Sequence, residues 1–124
     1  MSQPAMPENA ARFFNASQAA DAQAWAQPLA EDAIVYDPVG TPAVLGRTQM
    51  RERLSGFLPM FTTFSGLTPT AAHTCGDSVA VTWQAGGLTT SGRAMNWSGI
   101  SVLRLGEDGL ITEVNNFFDA SIFA

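Results

Sequence analysis

Apolar and polar positions along this chain change period part-way. From Glu8 to about Ala20, the apolar residues Ala11, Phe13, Phe14 and Ala20 fall among polar ones at helical intervals, with no proline or glycine between them. Asp21 is placed to cap a second, short helix carrying Trp25 and Leu29, which Pro28 bends or truncates. A strand follows from about Ala33 to Asp37. After a loop from Gly40 to Gly46, Met50, Leu54, Phe57 and Leu58 recur at i, i+4, i+7 and i+8, with Arg51, Glu52 and Arg53 off that stripe. The spacing predicts a third helix over Thr48 to Leu58, ending near Pro59.

Beyond Phe61 the period becomes two. A strand is expected from about Thr63 to Thr74. In the next, Val79, Val81 and Trp83 alternate with Ser78, Ala80, Thr82 and Gln84, and Gly86-Gly87 offers a turn. Met95 to Leu105 reads as a strand with apolar residues on both faces. Glu107-Asp108-Gly109 supplies a tight hairpin turn, and Leu110 to Phe118 forms the last strand. Three helices and then a meander of long strands indicate an α+β domain whose helices cover one face of a curved sheet.

A length of 124 residues, 46% hydrophobic and 14% charged, suits one compact domain over 1–124 and leaves no room for two. The net charge is −5 and the six basic residues are scattered, so no basic stripe exists to track a phosphate backbone, and nucleic acid is not an expected partner. The one cysteine, Cys75, has no partner for an intrachain disulfide or a metal cluster and reads as a small core or strand-end residue. Residues 1–6 are expected to be flexible; they have neither the basic start nor the apolar run of a secretory signal. No apolar run approaches the ~20 residues that span a bilayer. A cytoplasmic protein without membrane partners is the expectation, and the triplets at Asn15 and Asn96 that fit a glycosylation pattern carry no weight in that setting.

The candidate chemistry centres on Asp37. It ends an apolar strand, Ile34-Val35-Tyr36, and is stopped at once by Pro38, which cannot extend a ladder and biases the preceding residue toward extended geometry. A carboxylate is thereby held at a strand mouth, where it either opens a turn or serves as a base. Tyr36 alternates away from Asp37 and reads as packing under the helices. If Ser101 points inward, Gly99 and Trp97 share its face, and on the last strand Asn116 shares an inward face with Val114 and Phe118. Asn116 would then either hold a ligand carbonyl or be satisfied by backbone or water. Asn115 faces outward in this register, and a slip of one residue exchanges the two. Trp83 and Trp97 suit an apolar ligand cavity or plain core packing. His73 is the only histidine, and with Cys75 it falls short of the three or four ligands zinc requires, so no metal site is expected. Asp119 reads as a solvated carboxylate or a second acid near a pocket rim.

Tyr36-Asp37-Pro38-Val39-Gly40, then Gly46-Arg47 opening a helix, then Gly76-Asp77-Ser78-Val79-Ala80-Val81, then Ser101-Val102-Leu103-Arg104-Leu105 with Asp108-Gly109-Leu110-Ile111, together resemble the superfamily of ketosteroid isomerase, SnoaL-like polyketide cyclases and nuclear transport factor two. The resemblance covers nearly the whole chain. It implies a cone-shaped, strongly curved mixed sheet wrapped around three N-terminal helices, a cystatin-like roll, open at one end to a pocket and paired into a homodimer through the outer sheet face. It also places Asp37 where the steroid isomerases keep their proton-transferring aspartate. Their oxyanion hole is a tyrosine and a protonated aspartate, and here those positions fall on Phe13 and Ser101. Phe13 donates nothing, and a serine hydroxyl is a weaker donor than a carboxylic acid. Losing one such donor typically costs ~10²–10³ in rate, so efficient ketosteroid isomerisation is not expected.

Two functional classes stay open. One is a cofactor-independent enzyme acting on an apolar, carbonyl-bearing or polycyclic metabolite, an isomerase, cyclase, dehydratase or hydrolase. In it Asp37 is the general base, Asn116 or Ser101 orients an oxygen, and Phe13, Trp83, Trp97, Gly99 and Phe118 shape the pocket. The other is a noncatalytic ligand-binding or dimeric scaffold domain of the same fold, with apolar Ile100 and Val102 on the outer face.

Overall fold

The computed structural model describes residues 3–124. Of the six residues expected to be flexible, the first two lie outside that range, while Met6 packs against the core. Helix α1 (Glu8–Gln18) turns Ala10, Phe13, Phe14 and Ser17 inward, an i, i+3, i+4, i+7 face. It stops two residues before the expected end, and the chain leaves it through Ala20 at φ 53°. Helix α2 (Ala22–Ala26) is capped as predicted, with Asp21 Oδ1 accepting from the Ala24 N–H at 3.1 Å.

Pro28 ends that helix more sharply than the spacing suggested. Leu29, expected on its apolar face, is instead the first residue of strand β1 (Leu29–Tyr36), which starts four residues before the expected Ala33. The ladder explains the early start: Leu29 already pairs with Ile111, and Pro28 O accepts from the Ile111 N–H. Strand β2 (Val44–Leu45) leads into helix α3 (Gly46–Phe57), which buries Met50 and Leu54. A 3-10 turn at Leu58–Met60 carries the chain into β3 (Phe61–Cys75), followed by β4 (Ser78–Thr89), β5 (Ala94–Leu105) and β6 (Ile111–Phe117). A second 3-10 turn spans Ala120–Phe123.

The six strands form one mixed sheet in the order β2-β1-β6-β5-β4-β3, antiparallel except for the β1–β6 pair. Register shifts near Phe61, Phe64 and Pro69 bend β3 against β4, and the curved sheet wraps the three helices. The α+β architecture expected from the pattern is the one observed. Gly86 and Gly87 do not turn the chain, however. They stay inside β4, because a Cβ on Gly87 would lie 2.7 Å from the Phe61 ring and from Thr63 O where β3 bulges toward it. The chain reverses later, with the Gly92 N–H bonded to Thr89 O. It is Val35, and not Tyr36, that packs in the core under the helices; Tyr36 is half-buried on the other face.

The core joins the helices' inner faces to Val35, Val79, Val81, Leu103, Ile111 and Val114 from the sheet. One buried hydroxyl fastens α1 to the sheet rim. Ser17 Oγ donates to Phe14 O at 2.6 Å and accepts from the Leu67 N–H of β3 at 2.9 Å. Removing it leaves a buried backbone donor without a partner, a loss of about 1–3 kcal/mol. Ser17→Ala is therefore expected to lower the urea midpoint by that much free energy with an unchanged m-value, and an unaltered midpoint would count against this bond.

Candidate functional site

The parallel pairing of β1 with β6 sets Val35 opposite Val114 and Tyr36 opposite Asn115, so the next residue of each strand, Asp37 and Asn116, meet at the strand ends. Asp37 lies just past β1, joined to Pro38 by a cis peptide. The Val39 N–H donates to Asn116 O at 2.8 Å and holds this turn on β6. Asn116 Nδ2 donates to Asp37 Oδ1 at 3.0 Å. On the other side, Arg53 of α3 donates from Nε to Asp37 Oδ2 at 3.3 Å and from Nη2 to the Asp37 carbonyl at 2.8 Å.

Behind Asn116 the bonds continue into the sheet. Ser101 pairs with Asn116 across β5 and β6, and its hydroxyl donates to Asn116 Oδ1 at 2.6 Å. Trp83 Nε1 donates to Ser101 Oγ at 2.9 Å. An indole N–H can only donate. The Ser101 proton must therefore point to the amide oxygen of Asn116, which turns the amide nitrogen toward Asp37. Asp37 Oδ1 is in consequence held as an acceptor by three residues in series.

Asp37 and Asn116 line a cavity of about 370 Å³ together with Pro38, Arg53 and Ala120, and the rest of its wall is aromatic or aliphatic. Phe13, Trp83, Trp97 and Phe118 are in that wall. Ser101 is not. It is 0% exposed, with its hydroxyl used between Trp83 and Asn116, so it has no free proton for a ligand. Gly99 is also absent from the wall. A Cβ there would come within 2.6 Å of the Trp83 ring and 2.5 Å of Phe117 O, so the glycine makes room for the indole that starts the chain of bonds.

Several wall residues escaped the sequence reading. Trp25 was read as a helix residue; it stacks on Phe64 with centroids 5.9 Å apart and lines the cavity, and its Nε1 is buried without a hydrogen-bond partner among the described residues. Phe57 and Phe64 meet edge to face at 5.3 Å, and Phe123 closes on Phe57, Trp97 and Phe118 from the C-terminal turn. That turn is tied down by Arg93, whose Nη2 donates to Ile122 O at 2.9 Å. Asp119 is exposed and caps it: the hydrogen bonds from Ser121 hold the Asp119 carboxyl below its ordinary value, a contribution present above the usual carboxylate range and lost as pH falls through it. Arg53 was the most consequential omission. The helical pattern correctly put it off the apolar stripe, and nothing in period alone signals that α3 aims this position across the mouth of the cavity toward Asp37.

His73 and Cys75 are exposed toward the end of β3. Among the described residues no three His, Cys, Asp or Glu side chains cluster to hold a metal ion, and no helix is long and apolar enough to cross a membrane.

The family model of the SnoaL-like domain matches residues 10–114. The chain belongs to that family. No curated protein matches the sequence. Among solved structures, this SnoaL-like chain is similar to a hypothetical protein of ketosteroid isomerase-like fold from Catenulispora acidiphila DSM 44928, in complex with trimethylamine. The two share 20% identity over 94% of this chain and 89% of that one, at a TM-score of 0.84. It is also similar to SalBIII, an epoxide hydrolase/cyclase-like enzyme in pyran ring formation in the polyether salinomycin (23% identity, 92% of this chain and 90% of that one, TM-score 0.80). A third is TerC co-crystallised with polyporic acid (17% identity, 94% and 92%, TM-score 0.80). At these identities the likeness establishes the ketosteroid isomerase-like cone for this SnoaL-like domain.

Removing the Ser101 hydroxyl strands two buried groups, Trp83 Nε1 and Asn116 Oδ1, at about 1–3 kcal/mol each. Ser101→Ala is expected to cost about 2–6 kcal/mol in denaturant unfolding, far more than a surface serine. A loss below about 1 kcal/mol would show that the series of bonds is not a stabilising unit.

Proposed function

We propose that this SnoaL-like domain is a cofactor-independent enzyme that binds an apolar, carbonyl-bearing or polycyclic molecule in its cavity and moves a proton with Asp37. One observation carries the reading: a fixed carboxylate stands in the wall of a cavity otherwise almost wholly apolar. Such a wall binds hydrophobic ligands by area, and a few placed polar groups give them orientation. Asn116 fixes Oδ1 and so presents Oδ2 as the oxygen that takes a proton from carbon or from water, once Arg53 yields its 3.3 Å contact. Isomerisation, cyclisation, dehydration and hydrolysis all need that step and no cofactor. The small organic molecules in the trimethylamine and polyporic acid complexes, and the epoxide hydrolase/cyclase-like character of SalBIII, support a small organic molecule as ligand.

Phe13 faces the cavity from α1 with no hydrogen-bond donor, which argues against a steroid isomerase. The Asp37–Arg53 ion pair favours a second reading, a noncatalytic binding domain, since a paired carboxylate must part from its partner before it acts. Turnover separates them. Asp37→Asn keeps the bond to Asn116 and removes the base, so it is expected to abolish conversion of a true substrate, by at least about 10²-fold, while binding persists. A variant that converts the substrate at the wild-type rate would sink the assignment of Asp37; a ligand that always emerges unchanged by mass spectrometry would establish the binding domain.

The same reading includes a homodimer through the outer sheet face. Ile100 and Phe117 are cross-strand partners there, 42% and 47% exposed, and further along the same face Ile34 of β1 is exposed opposite Glu113 of β6. A contiguous apolar patch on a soluble domain signals association. The exposed, unpaired Cys75 suits a reducing compartment such as the cytoplasm. Phe117→Glu should convert a dimer to a monomer in light scattering, and an unchanged mass would place the contact elsewhere.

A further inference from the structure

If Asp37 takes a proton, negative charge must develop on the bound molecule, and the groups that meet it decide which molecules react. The two positions where the steroid isomerases keep their donors are silent here. Phe13 has none, and the Ser101 proton is spent on Asn116. The Trp83 N–H is spent on Ser101. Among the described polar groups of the cavity wall, the guanidinium of Arg53 has the largest unused capacity: it carries five N–H bonds and makes two hydrogen bonds, both to Asp37. Its side chain is 46% exposed, so it stands at the mouth with N–H groups available to a molecule entering past it.

We infer that Arg53 is the second polar partner of the bound molecule, and that the substrate is one whose charge-accepting oxygen lies within two or three bonds of the atom giving up the proton. The inference rests on Asp37 as base. Before transfer, the Asp37 carboxylate and the Arg53 guanidinium neutralise one another across the 3.3 Å contact. When a C–H bond beside a carbonyl breaks, its proton goes to Asp37 Oδ2 and its electron pair enters the new C=C bond, while the carbonyl oxygen takes the negative charge. Arg53 then exchanges one anionic oxygen for another a few ångströms away and never loses a counterion. The long Nε–Oδ2 bond is the one that has to yield, whereas the 2.8 Å bond from Nη2 to the Asp37 carbonyl keeps the side chain in place. Base and anion partner thus sit on the same side of the cavity. That arrangement selects α-protons of a ketone or a 1,3-dicarbonyl, and disfavours substrates whose oxygen lies across the ring system from the reacting carbon.

Binding alone tests this, with p-nitrophenolate as the anionic oxygen probe and nitrobenzene as its uncharged counterpart. Asp37→Asn deprives Arg53 of its carboxylate, so p-nitrophenolate is expected to bind about tenfold tighter than to the wild type, as a charged hydrogen bond gained would dictate. Adding Arg53→Met or Arg53→Gln should cancel that gain, while nitrobenzene binds every variant within about twofold, reporting an intact cavity. Failure of Asp37→Asn to tighten the anion, or retention of the gain in both double variants, would overturn the assignment of Arg53. No turnover is needed for these measurements, so the role of Arg53 can fail while Asp37 remains the base, and the reverse.

Discussion

A donor-only indole sets the polarity of everything at this site. Trp83 can give a proton to Ser101 and cannot take one, so each later group in the series has a fixed sense, ending with a bare oxygen of Asp37 facing the Asn116 amide. Three strands contribute one residue each, and their register lets the bonds form with ordinary sheet geometry. The arrangement also demands an absence. Gly99 leaves the space that the Trp83 ring fills, so a residue without a side chain belongs to the site as firmly as those with one.

The cavity around this series is built by elements with different tasks. The sheet supplies the fixed polar row; α1, α2 and α3 supply Phe13, Trp25, Met50 and Leu54; the two 3-10 turns bring Met60 and Phe123 to the rim. Rings meeting edge to face at 5.2–5.3 Å, such as Phe57 on Phe61 and Phe64, are held by packing from several directions. Aromatic walls with one ionic pair favour ligand orientations that bring a polar group to Asp37 and Arg53, where the hydration it gives up can be repaid.

Much of the fold was legible, since amphipathic period survives in long elements. Met50 and Leu54 on α3 and Val79, Val81 and Trp83 on β4 lie inward as their spacing required. The errors gathered where tertiary contacts override local signals. Leu29 looked helical because the residues before it were, but the Ile111 ladder claimed it. Gly86-Gly87 looked like a turn, but those glycines answer to a bulge on the neighbouring strand. At the site, Asp37 was legible from its proline, and Asn116 followed from alternation along β6. Ser101 lies buried with its hydroxyl turned to Asn116, and pattern cannot say which partner takes a hydroxyl's single proton. Arg53 was invisible, since its meaning depends on how α3 lies against β1.

The bonds that Ser17 and Gln18 make to β3 bear on more than the anchoring of α1. β3 is an edge strand, fifteen residues long, and an edge of that length is an invitation to a stranger's backbone. Ser17 accepts the Leu67 N–H and Gln18 Nε2 donates to Leu67 O at 3.0 Å, so the helix occupies both hydrogen-bonding groups of a central edge residue. Two residues further on, Pro69 has no N–H to offer. Along this stretch of the edge, a neighbouring chain would find Leu67 already bonded within its own protein and no donor at Pro69, which disfavours the addition of a strand there.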